Sequence, residues 1–395
     1  MILPSLLLLG LVAVADAKFN CATPEDFRVY NPSLLTEDYK NYRKISKMPL
    51  YRFLFERGDK LGMGAFGEVR AAAGIEPKLV MKKVTSANRT VLNAMKREIE
   101  LLKELCGKDP NETYKDLFEC ESTAIAGFKG CVEKGDEIYI FQEAMTMDLK
   151  STKAKKLYRA LEGGEKATVM VDLIRKFQLI HDKHIVHSDI KPENIMMKTK
   201  DFSDLRMVDF GLSEKEEKRI VGGSLIYLPP EKHREPYLTT GGDVYSLALT
   251  FATMEEAAEK KIFSMKSSCF KNYPNDDCKD NFQIAIKKAF NKDTKTDFLL
   301  EVFLRATNFD PTLRYNSMKD FADAIVNHAK DVPEFGQSLE GKPKALLEIP
   351  KAPLKTPKVL LKIPKAPVKK PKAPVKSLRK FTKRPYAIKK GLLIV

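Results

Sequence analysis

The sequence contains no tryptophan, only five histidines, and no two cysteines separated by two residues. Structural zinc sites are usually built from such closely spaced cysteines and histidines, so the common zinc modules are excluded. Beyond the first 17 residues, no apolar stretch approaches the roughly 20 residues that a membrane-spanning helix needs. The 43% hydrophobic and 31% charged residues are instead typical of a folded protein with a sizeable core.

Acidic residues are almost absent from the C-terminal end of the chain. Residues 341–395 contain 17 Lys and Arg but one acid, Glu348, so this tail carries the whole formal charge of +16. Subtracting them from the totals of 69 basic and 53 acidic residues leaves 52 of each in residues 1–340. The excess charge therefore describes a separate basic extension and not the folded part of the chain.

The segment 336–395 is rich in proline as well as lysine, and a short Ile-Pro-Lys-Ala-Pro pattern begins at Ile349 and again at Ile363. Frequent prolines disfavour helix and sheet, so we expect an extended, disordered tail. Three roles stay open for it: a solvated linker, an electrostatic tether to an acidic protein, membrane or polyanion, and a nuclear-targeting or nucleic-acid segment. Aromatic residues are too few for stacking on bases, which counts against nucleic acid.

The first 17 residues, 1–17, form an apolar run that ends in Ala15-Asp16-Ala17, a pattern typical of signal-peptide cleavage sites. No Lys or Arg precedes the run, so an uncleaved anchor stays open as an alternative. Two sequons, at Asn88 and Asn111, fit the secretory route. We therefore expect a secreted glycoprotein that acts in the lumen, outside the cell or after delivery to another cell.

The six cysteines of an exported chain are free to form disulfides, because the secretory compartment is oxidising. Their connectivity does not follow from the sequence. Cys269 and Cys278 are close along the chain and are the pair to test first. Free, buried thiols are the alternative.

A glycine-rich motif runs from Leu61 to Val69, with glycines at Gly62, Gly64 and Gly67. Such positions let a hairpin backbone approach phosphate oxygens closely. The motif alone is weak evidence, because the same spacing occurs in other nucleotide-binding folds and in plain turns. A dinucleotide-binding unit would need a helix directly after the glycines, and a strand-like run follows instead, as in loops that cover ATP phosphates.

That strand-like run, residues 79–84, carries two neighbouring lysines, Lys82 and Lys83. The next segment, 93–105, has the apolar spacing of an amphipathic helix and carries Glu98. We expect Glu98 to pair with Lys82 and hold its ammonium against the α- and β-phosphates. Lys83 is the alternative, but strand side chains alternate, so Lys83 faces the other way. An ordinary charged surface helix is the plain alternative for 93–105.

The strongest motifs lie further along, at residues 187–194 (His-Ser-Asp-Ile-Lys-Pro-Glu-Asn) and 209–211 (Asp-Phe-Gly). With the preceding motifs, they come in the order and at the intervals of eukaryotic protein kinases, and residues 55–328 resemble that family. The resemblance implies an α+β, bilobal kinase fold with a small β-rich N-lobe and a larger helical C-lobe. Residues 18–54 precede it as a mixed lead-in.

The resemblance also implies roles for single residues. Asp189 would accept the proton of the substrate hydroxyl, and Lys191 would neutralise charge on the transferring phosphoryl group. Asn194 would complete the catalytic loop and, with Asp209, hold Mg²⁺, while ATP would be the cofactor. The loop resembles the Ser/Thr-specific version, so the expected substrate is a protein with Ser or Thr acceptors.

Further residues would bind the nucleotide. Glu143 and Met145 would present backbone groups to adenine, with Gln142 near the gatekeeper position, and Asp148 would reach the ribose. The predicted nucleotide-binding set is Leu61, Gly62, Gly64, Gly67, Val69, Lys82, Glu98, Glu143, Met145 and Asp148.

Other motifs match positions with structural roles in the family. Residues 223–231 resemble the end of an activation segment, in which Glu231 would pair with Arg314. Asp243 would brace the catalytic loop. Pro229 replaces the usual alanine, which stiffens the segment but removes no catalytic group.

One arginine of the family pattern is missing, because Ser188 replaces it in the His-Arg-Asp motif. That arginine normally pairs with a phosphate on the activation loop, so we expect a kinase that does not depend on this switch. Glu214, Glu216 and Glu217 are candidates to hold the segment instead. A solvated acidic run is their plain alternative.

Two functions of different class follow. The first is an active, exported Ser/Thr protein kinase that works as a monomer. The second is a kinase-fold pseudoenzyme or binding module that docks acidic partners through its basic tail. The intact catalytic positions favour the first.

The basic tail makes one prediction that needs no knowledge of the partner. Truncation after Phe335 should abolish retention on an anionic matrix such as heparin, and retention of the full chain should weaken steeply with salt, because bound cationic side chains release counterions. The salt concentration at elution is the measurement, and removal of the uncharged residues 391–395 is the control. Salt-independent retention, or equal retention after truncation, would contradict a tether.

Overall fold

The structure is a computed structural model of the chain. It describes residues 20–29, 32–45, 48–64, 67–76, 78–86, 89–216, 222–233, 239–265, 276–332 and 335. The expected signal segment, Asn88, Glu217, Cys269 and the basic tail lie outside these residues, so the predictions about them stay predictions. No helix within the described ranges is long and apolar enough to cross a membrane.

The N-terminal lobe is built on a five-stranded antiparallel sheet. Its strands are β1 (Lys60–Gly64), β2 (Gly67–Ala71), β3 (Leu79–Thr85), β4 (Phe128–Lys134) and β5 (Glu137–Glu143). They lie in the order β1-β2-β3-β5-β4. The helices of this lobe are α1 (Glu37–Ile45), α2 (Leu50–Glu56) and the long α3 (Arg89–Leu105).

Side-chain alternation along β3 explains how the sheet is covered on both faces. Leu79 and Met81 point outward and are buried against residues of the lead-in. Val84 points to the other face and packs in the main core with Met95 of α3. Lys82 lies two residues before Val84 and so shares the face that looks toward α3, as the sequence predicted.

The lead-in, residues 20–56, covers the outer face of the sheet. Phe27 stacks on Phe141 of β5 with 4.9 Å between ring centroids, and Tyr51 of α2 meets Tyr139 edge-on at 5.0 Å. These rings share one hydrophobic cluster with the sheet. Helix α2 runs across residue 55, where the sequence placed the start of the kinase domain.

Two disulfides bind this lobe together. Cys21 of the lead-in is joined to Cys131 of β4, and Cys106, which directly follows α3, is joined to Cys120. Cys278 is also disulfide-bonded. The alternative of free thiols is therefore wrong for the cysteines that the structure describes.

The C-terminal lobe is mainly helical. Within the described residues its helices are α4 (Thr152–Ala160), α5 (Gly163–His181), α6 (Thr240–Met254), α7 (Glu256–Ser264), α8 (Asp276–Ala289), α9 (Leu300–Ala306) and α10 (Met318–Ala329). Helices α5 and α6 are buried along most of their length and form the centre of the lobe.

Short strands and 3₁₀ helices supply the segments that carry the site. The strands are β6 (Met147–Asp148), β7 (Ile185–Val186), β8 (Ile195–Met197), β9 (Leu205–Met207) and β10 (Glu214–Lys215). The 3₁₀ helices are Pro32–Leu34, Pro192–Asn194, Pro230–His233, Lys292–Thr294, Asp297–Leu299 and Pro311–Leu313. A β-sheet lobe joined to a helical lobe confirms the predicted α+β bilobal fold.

Candidate active site

The glycine motif forms the hairpin between β1 and β2, where Gly62 pairs with Val69. A Cβ added at Gly62 would meet nothing within 4 Å, whereas one at Gly67 would lie 2.0 Å from the carbonyl oxygen of Lys83. Gly67 is therefore needed for the close packing of β2 on β3. Leu61 lies exposed on the hairpin, and Val69 pairs with Lys82. The phosphate contact predicted for Gly62, Gly64 and Gly67 stays a prediction.

The predicted ion pair between β3 and α3 is formed. Lys82 Nζ lies 2.9 Å from Glu98 Oε2 and 3.0 Å from Oε1, and both side chains are largely buried. Asp209 Oδ1 lies 3.7 Å from the same ammonium. Burial disfavours the charged amine, but the carboxylates of Glu98 and Asp209 outweigh it and raise the pKa of Lys82 above its usual value. Lys82 is thus a cation at neutral pH.

The neighbouring lysine is used differently. Lys83 forms an ion pair with Glu137, and its ammonium lies 5.4 Å from the ring centroid of Tyr139. It therefore faces the outer surface of the sheet, and strand alternation had correctly favoured Lys82.

Asp189 is held through both of its carboxylate oxygens. Oδ2 accepts hydrogen bonds from Lys191 Nζ at 2.5 Å and from Asn194 Nδ2 at 3.2 Å. Oδ1 accepts one from the backbone N–H of Ser224 at 3.0 Å. The side chain of Asp189 is buried, with 7% of its surface exposed. Its orientation is therefore fixed by an amide, an ammonium and the activation segment together.

Asn194 and Asp209 are brought together by backbone pairing. Ile195 of β8 pairs with Met207 of β9, and the N–H of Val208 donates to the carbonyl of Asn194 at 3.0 Å. Asn194 Nδ2 donates to the carbonyl of Asp189, which leaves its amide oxygen as the atom for a metal. A carboxylate and an amide oxygen are hard ligands that suit Mg²⁺ bound together with phosphate oxygens.

Asp243 of α6 holds the backbone of the catalytic loop through hydrogen bonds. Its carboxylate accepts the backbone N–H groups of His187 at 2.7 Å and Ser188 at 3.0 Å, and lies 2.9 Å from His181 Nε2. Burial opposes ionisation, yet these partners outweigh it and lower the pKa of Asp243 below its usual value. Ser188 itself has a positive φ of 69°. The expected brace is therefore present, and it acts on the backbone whatever the side chain at residue 188.

The segment between the lobes holds the residues predicted to bind adenine and ribose. The Glu143 carboxylate is occupied by Lys198 at 2.7 Å and Arg206 at 3.2 Å, so a contact to adenine would come from its backbone. Met145 lies half-buried between β5 and β6. Asp148 Oδ1 accepts the N–H of Ser151 at 2.8 Å before α4. The contacts of Glu143, Met145 and Asp148 to the nucleotide stay predictions.

The activation segment is attached to α3 by two ion pairs. Arg97 pairs with Glu214, and Lys215 Nζ lies 2.6 Å from Glu104 Oε1. The two segment residues in these pairs, Glu214 and Lys215, form β10, which pairs with β7 just before the catalytic loop. The solvated acidic run is therefore wrong for Glu214, whose side chain is engaged.

The far end of the activation segment is tied to the C-lobe. Arg314 donates to both carboxylate oxygens of Glu231, at 2.7 and 2.6 Å, and its side chain is fully buried. Its guanidinium also lies 4.9 Å from the ring centroid of Tyr245. The predicted Glu231–Arg314 pair is thus present.

Sequence reasoning missed one residue that touches Asp189. Ser224 donates its N–H to Asp189, and its hydroxyl accepts a hydrogen bond from Lys191 Nζ at 2.9 Å. The sequence placed Ser224 in the activation segment but gave no signal of this contact, because the two residues are 35 positions apart.

Comparison with known proteins agrees with this geometry. Residues 55–330 match the family model described as protein kinase domain. The chain is 24% identical over 205 residues to mitogen-activated protein kinase kinase 5 of Leishmania mexicana, covering 50% of this chain and 35% of that protein. It is 29% identical over 216 residues to a CDPK-related protein kinase of Daucus carota, covering 49% and 32%.

A third relative is a probable LRR receptor-like serine/threonine-protein kinase of Arabidopsis thaliana, 26% identical over 254 residues, covering 60% of this chain and 26% of that protein. The chain thus spans between 26% and 35% of the length of these three relatives.

A β-sheet lobe whose lysine–glutamate pair lies beside a carboxylate-bearing loop of a helical lobe is the architecture of a protein kinase domain. The family match covers well over half of the chain, and the chain belongs to the protein kinase domain family. Membership implies ATP, a divalent metal and a protein substrate in general.

Proposed function

We propose that the protein is an active Ser/Thr protein kinase that uses ATP with Mg²⁺ and has Asp189 as its catalytic base. The observation that carries the proposal is the complete hydrogen-bonded set around Asp189, formed together with the Lys82–Glu98 pair. Phosphoryl transfer depends on alignment and charge neutralisation more than on covalent chemistry. Pre-oriented acids, an amide and lysines are the groups that this task needs.

Each group has a defined task in this mechanism. Lys82 holds the α- and β-phosphates while Glu98 fixes the direction of its ammonium. Asp189 accepts the proton of the attacking hydroxyl through Oδ2 or Oδ1, and Lys191 faces the transferring phosphoryl group. Mg²⁺ bound between Asn194 and Asp209 would supply charge neutralisation on the phosphate oxygens.

The preference for Ser or Thr rests on the loop itself and on its contacts. Lys191 connects Asp189 to Ser224, so the lysine of the Ser/Thr-type loop is structurally integrated. The Arabidopsis thaliana relative is named as a probable serine/threonine-protein kinase, which supports the same preference. We therefore propose serine and threonine, and not tyrosine, as the residues that are phosphorylated.

The assignment of the base makes a direct prediction. Asp189→Asn should lower kcat for peptide phosphorylation by at least about 100-fold, because the amide cannot accept the hydroxyl proton. Phosphate transfer from labelled ATP to a Ser/Thr peptide mixture is the measurement. Asp323→Asn, on the exposed face of α10, is the matched control and should keep the parent rate. Turnover retained by Asp189→Asn would refute the assignment.

The alternative is a binding module that docks acidic partners through its basic tail, and the charge of residues 341–395 is what favours it. The same substitution separates the two functions, because Asp189→Asn leaves the tail unchanged. The binding module would be favoured if the parent protein transfers no phosphate and the Asp189→Asn variant still binds the acidic partner.

We also propose that activity does not require a phosphorylated activation loop. Ser188 cannot bind a phosphate as an arginine does, and Arg97–Glu214 and Glu104–Lys215 supply ionic contacts between the segment and α3 without one. Lys215 Nζ further donates to the carbonyl of Lys183 at 3.0 Å. The segment is thus anchored by the chain's own charges.

Phosphatase treatment tests this independence. The treated protein, shown by mass spectrometry to carry no phosphate, should keep its initial rate, because the ionic contacts to α3 remain. The treated Arg97→Ala variant should be slower, while Arg52→Ala, which loses an exposed pair with Glu56, should not. Complete loss of activity on dephosphorylation would sink the proposal.

Export through the secretory pathway is part of the proposed function. It is supported by the apolar run 1–17, by the two disulfides of the N-lobe, and by the sequon at Asn111, which lies exposed in a turn. A monomeric, secreted glycoprotein is the state we propose for the exported chain.

Expression of the full chain in eukaryotic cells checks the export. The protein should appear in the medium, and endoglycosidase should increase its electrophoretic mobility. Asn111→Gln should remove one glycan, because its side chain is accessible. Asn308→Gln, an asparagine outside any sequon, is the control. Retention of a glycan-free protein inside the cell would contradict export.

A further inference from the structure

Lys103 is a buried cation that the proposed mechanism does not use. It lies on α3, five residues after Glu98, and is 1% exposed. Its ammonium donates to the backbone carbonyls of Asn20 at 2.8 Å, Glu112 at 2.7 Å and Pro110 at 3.5 Å. Three acceptors match the three donors of an ammonium, so the charge is accommodated by main-chain oxygens.

Those carbonyls come from two segments that disulfides hold in place. Asn20 adjoins Cys21, which is bonded to Cys131 of β4. Pro110 and Glu112 lie in the loop that Cys106–Cys120 closes. We call Lys103, these three carbonyl residues and the two disulfides the Lys103 cluster. The cluster joins the C-terminal end of α3 to the lead-in and to the sheet.

The geometry of an α-helix shows what the cluster does for Glu98. Residues five positions apart lie about 7.5 Å apart along the axis and about 140° apart around it. Glu98 is therefore drawn to Lys82 on one side of α3, while Lys103 is held on a different side. Two attachments of this kind fix both the depth and the rotation of the helix. Burial lowers the pKa of Lys103 below its usual value, because it disfavours the charged amine, so the ammonium relies on the three carbonyls for its hydrogen bonds.

We propose that Lys103 is a positioning residue for Glu98, and that the two disulfides are required for it to act, so that phosphoryl transfer depends on the oxidised protein. This inference rests on the proposed kinase function. Reduction by a dithiol would add two electrons and two protons to each disulfide, giving two thiols, while the dithiol closes to its own disulfide. The carbonyls would then lose their fixed positions, and α3 would turn Glu98 away from Lys82.

The consequence is a kinase whose catalytic activity depends on whether its compartment is reducing or oxidising. In a reducing cytosol the cluster would not form, and the Lys82–Glu98 pair would be populated less. After oxidation in the secretory pathway the pair would be stable. The kinase would thus be inactive in a reducing compartment and active after oxidation in the secretory pathway.

A double-mutant cycle tests the positioning role. Lys103→Met should lower kcat by between about tenfold and 100-fold, because misplacing a catalytic group by about 1 Å has effects of that size. Lys166→Met is the matched control, since Lys166 is equally buried but binds Glu255 and the carbonyl of Thr294 in the C-lobe. Rates are compared at a temperature at which circular dichroism shows all variants folded. Lys166→Met should keep kcat within about twofold of the parent.

The cycle is completed in a Glu98→Gln background. There Lys103→Met should cause no further loss, because the pair that Lys103 serves is already broken. A parent-like kcat for Lys103→Met, or the same loss in both backgrounds, would overturn the positioning role.

Reduction provides the second arm and does not depend on a lysine variant that folds. Dithiol treatment of the parent protein should lower kcat by a similar factor while circular dichroism is unchanged. A Cys269→Ser/Cys278→Ser protein should respond in the same way, since its N-lobe disulfides are intact. A full rate with Cys106 and Cys120 reduced, as shown by mass spectrometry, would overturn the redox requirement.

Hydrogen exchange separates this inference from the proposed function. Backbone amides of α3 should exchange about tenfold faster or more in Lys103→Met and in the reduced protein, but not in Lys166→Met. Faster exchange in a protein that transfers no phosphate would uphold the inference about the helix and reject the kinase activity. Unchanged exchange in a protein that transfers phosphate would reject the inference and leave the activity standing.

Discussion

The structure depends on one buried ion pair, Lys82–Glu98. Taking a carboxylate and an ammonium out of water is costly, and their mutual attraction offsets the cost only at close range and with good geometry. A contact of 2.9 Å therefore constrains the register of β3 and the placement of α3 together. Val84 of β3 and Met95 of α3 belong to the same hydrophobic core, and the ion pair joins the two elements directly.

In the C-lobe, another buried acid, Asp243, fixes the position of the catalytic loop. Asp243 is satisfied by two backbone N–H groups and His181, so the loop that carries Asp189 is fixed to α6 by main-chain contacts. Buried acids with such partners are rigid, because leaving any of them unpaired would be expensive. The Glu231–Arg314 pair fixes the end of the activation segment in the same manner. Both lobes thus present preformed charges to one cleft.

The sequence predicted the parts of this account that depend on residue type and spacing. Asp189, Lys191 and Asn194 lie within six positions of one another in a loop, and strand alternation alone distinguished Lys82 from Lys83. The bilobal fold followed from the order of the motifs. These features are local, so short patterns carry them.

The rest depends on contacts between distant parts of the chain. Cys21 and Cys131 are 110 positions apart, and no local pattern relates them. The lead-in gave no periodicity that indicated its place on the outer face of the sheet, because aromatic packing there is set by the partner strands. The pairing of Arg97 with Glu214 likewise needs the fold to bring two charged runs together.

The most direct test of the whole account is a crystal structure of the oxidised, unphosphorylated protein with Mg²⁺ and a non-hydrolysable ATP analogue. The account predicts Lys82 between Glu98 and the α- and β-phosphates, with the metal on Asn194 and Asp209. A bound nucleotide with Glu98 turned away from Lys82, or a metal held elsewhere, would contradict it.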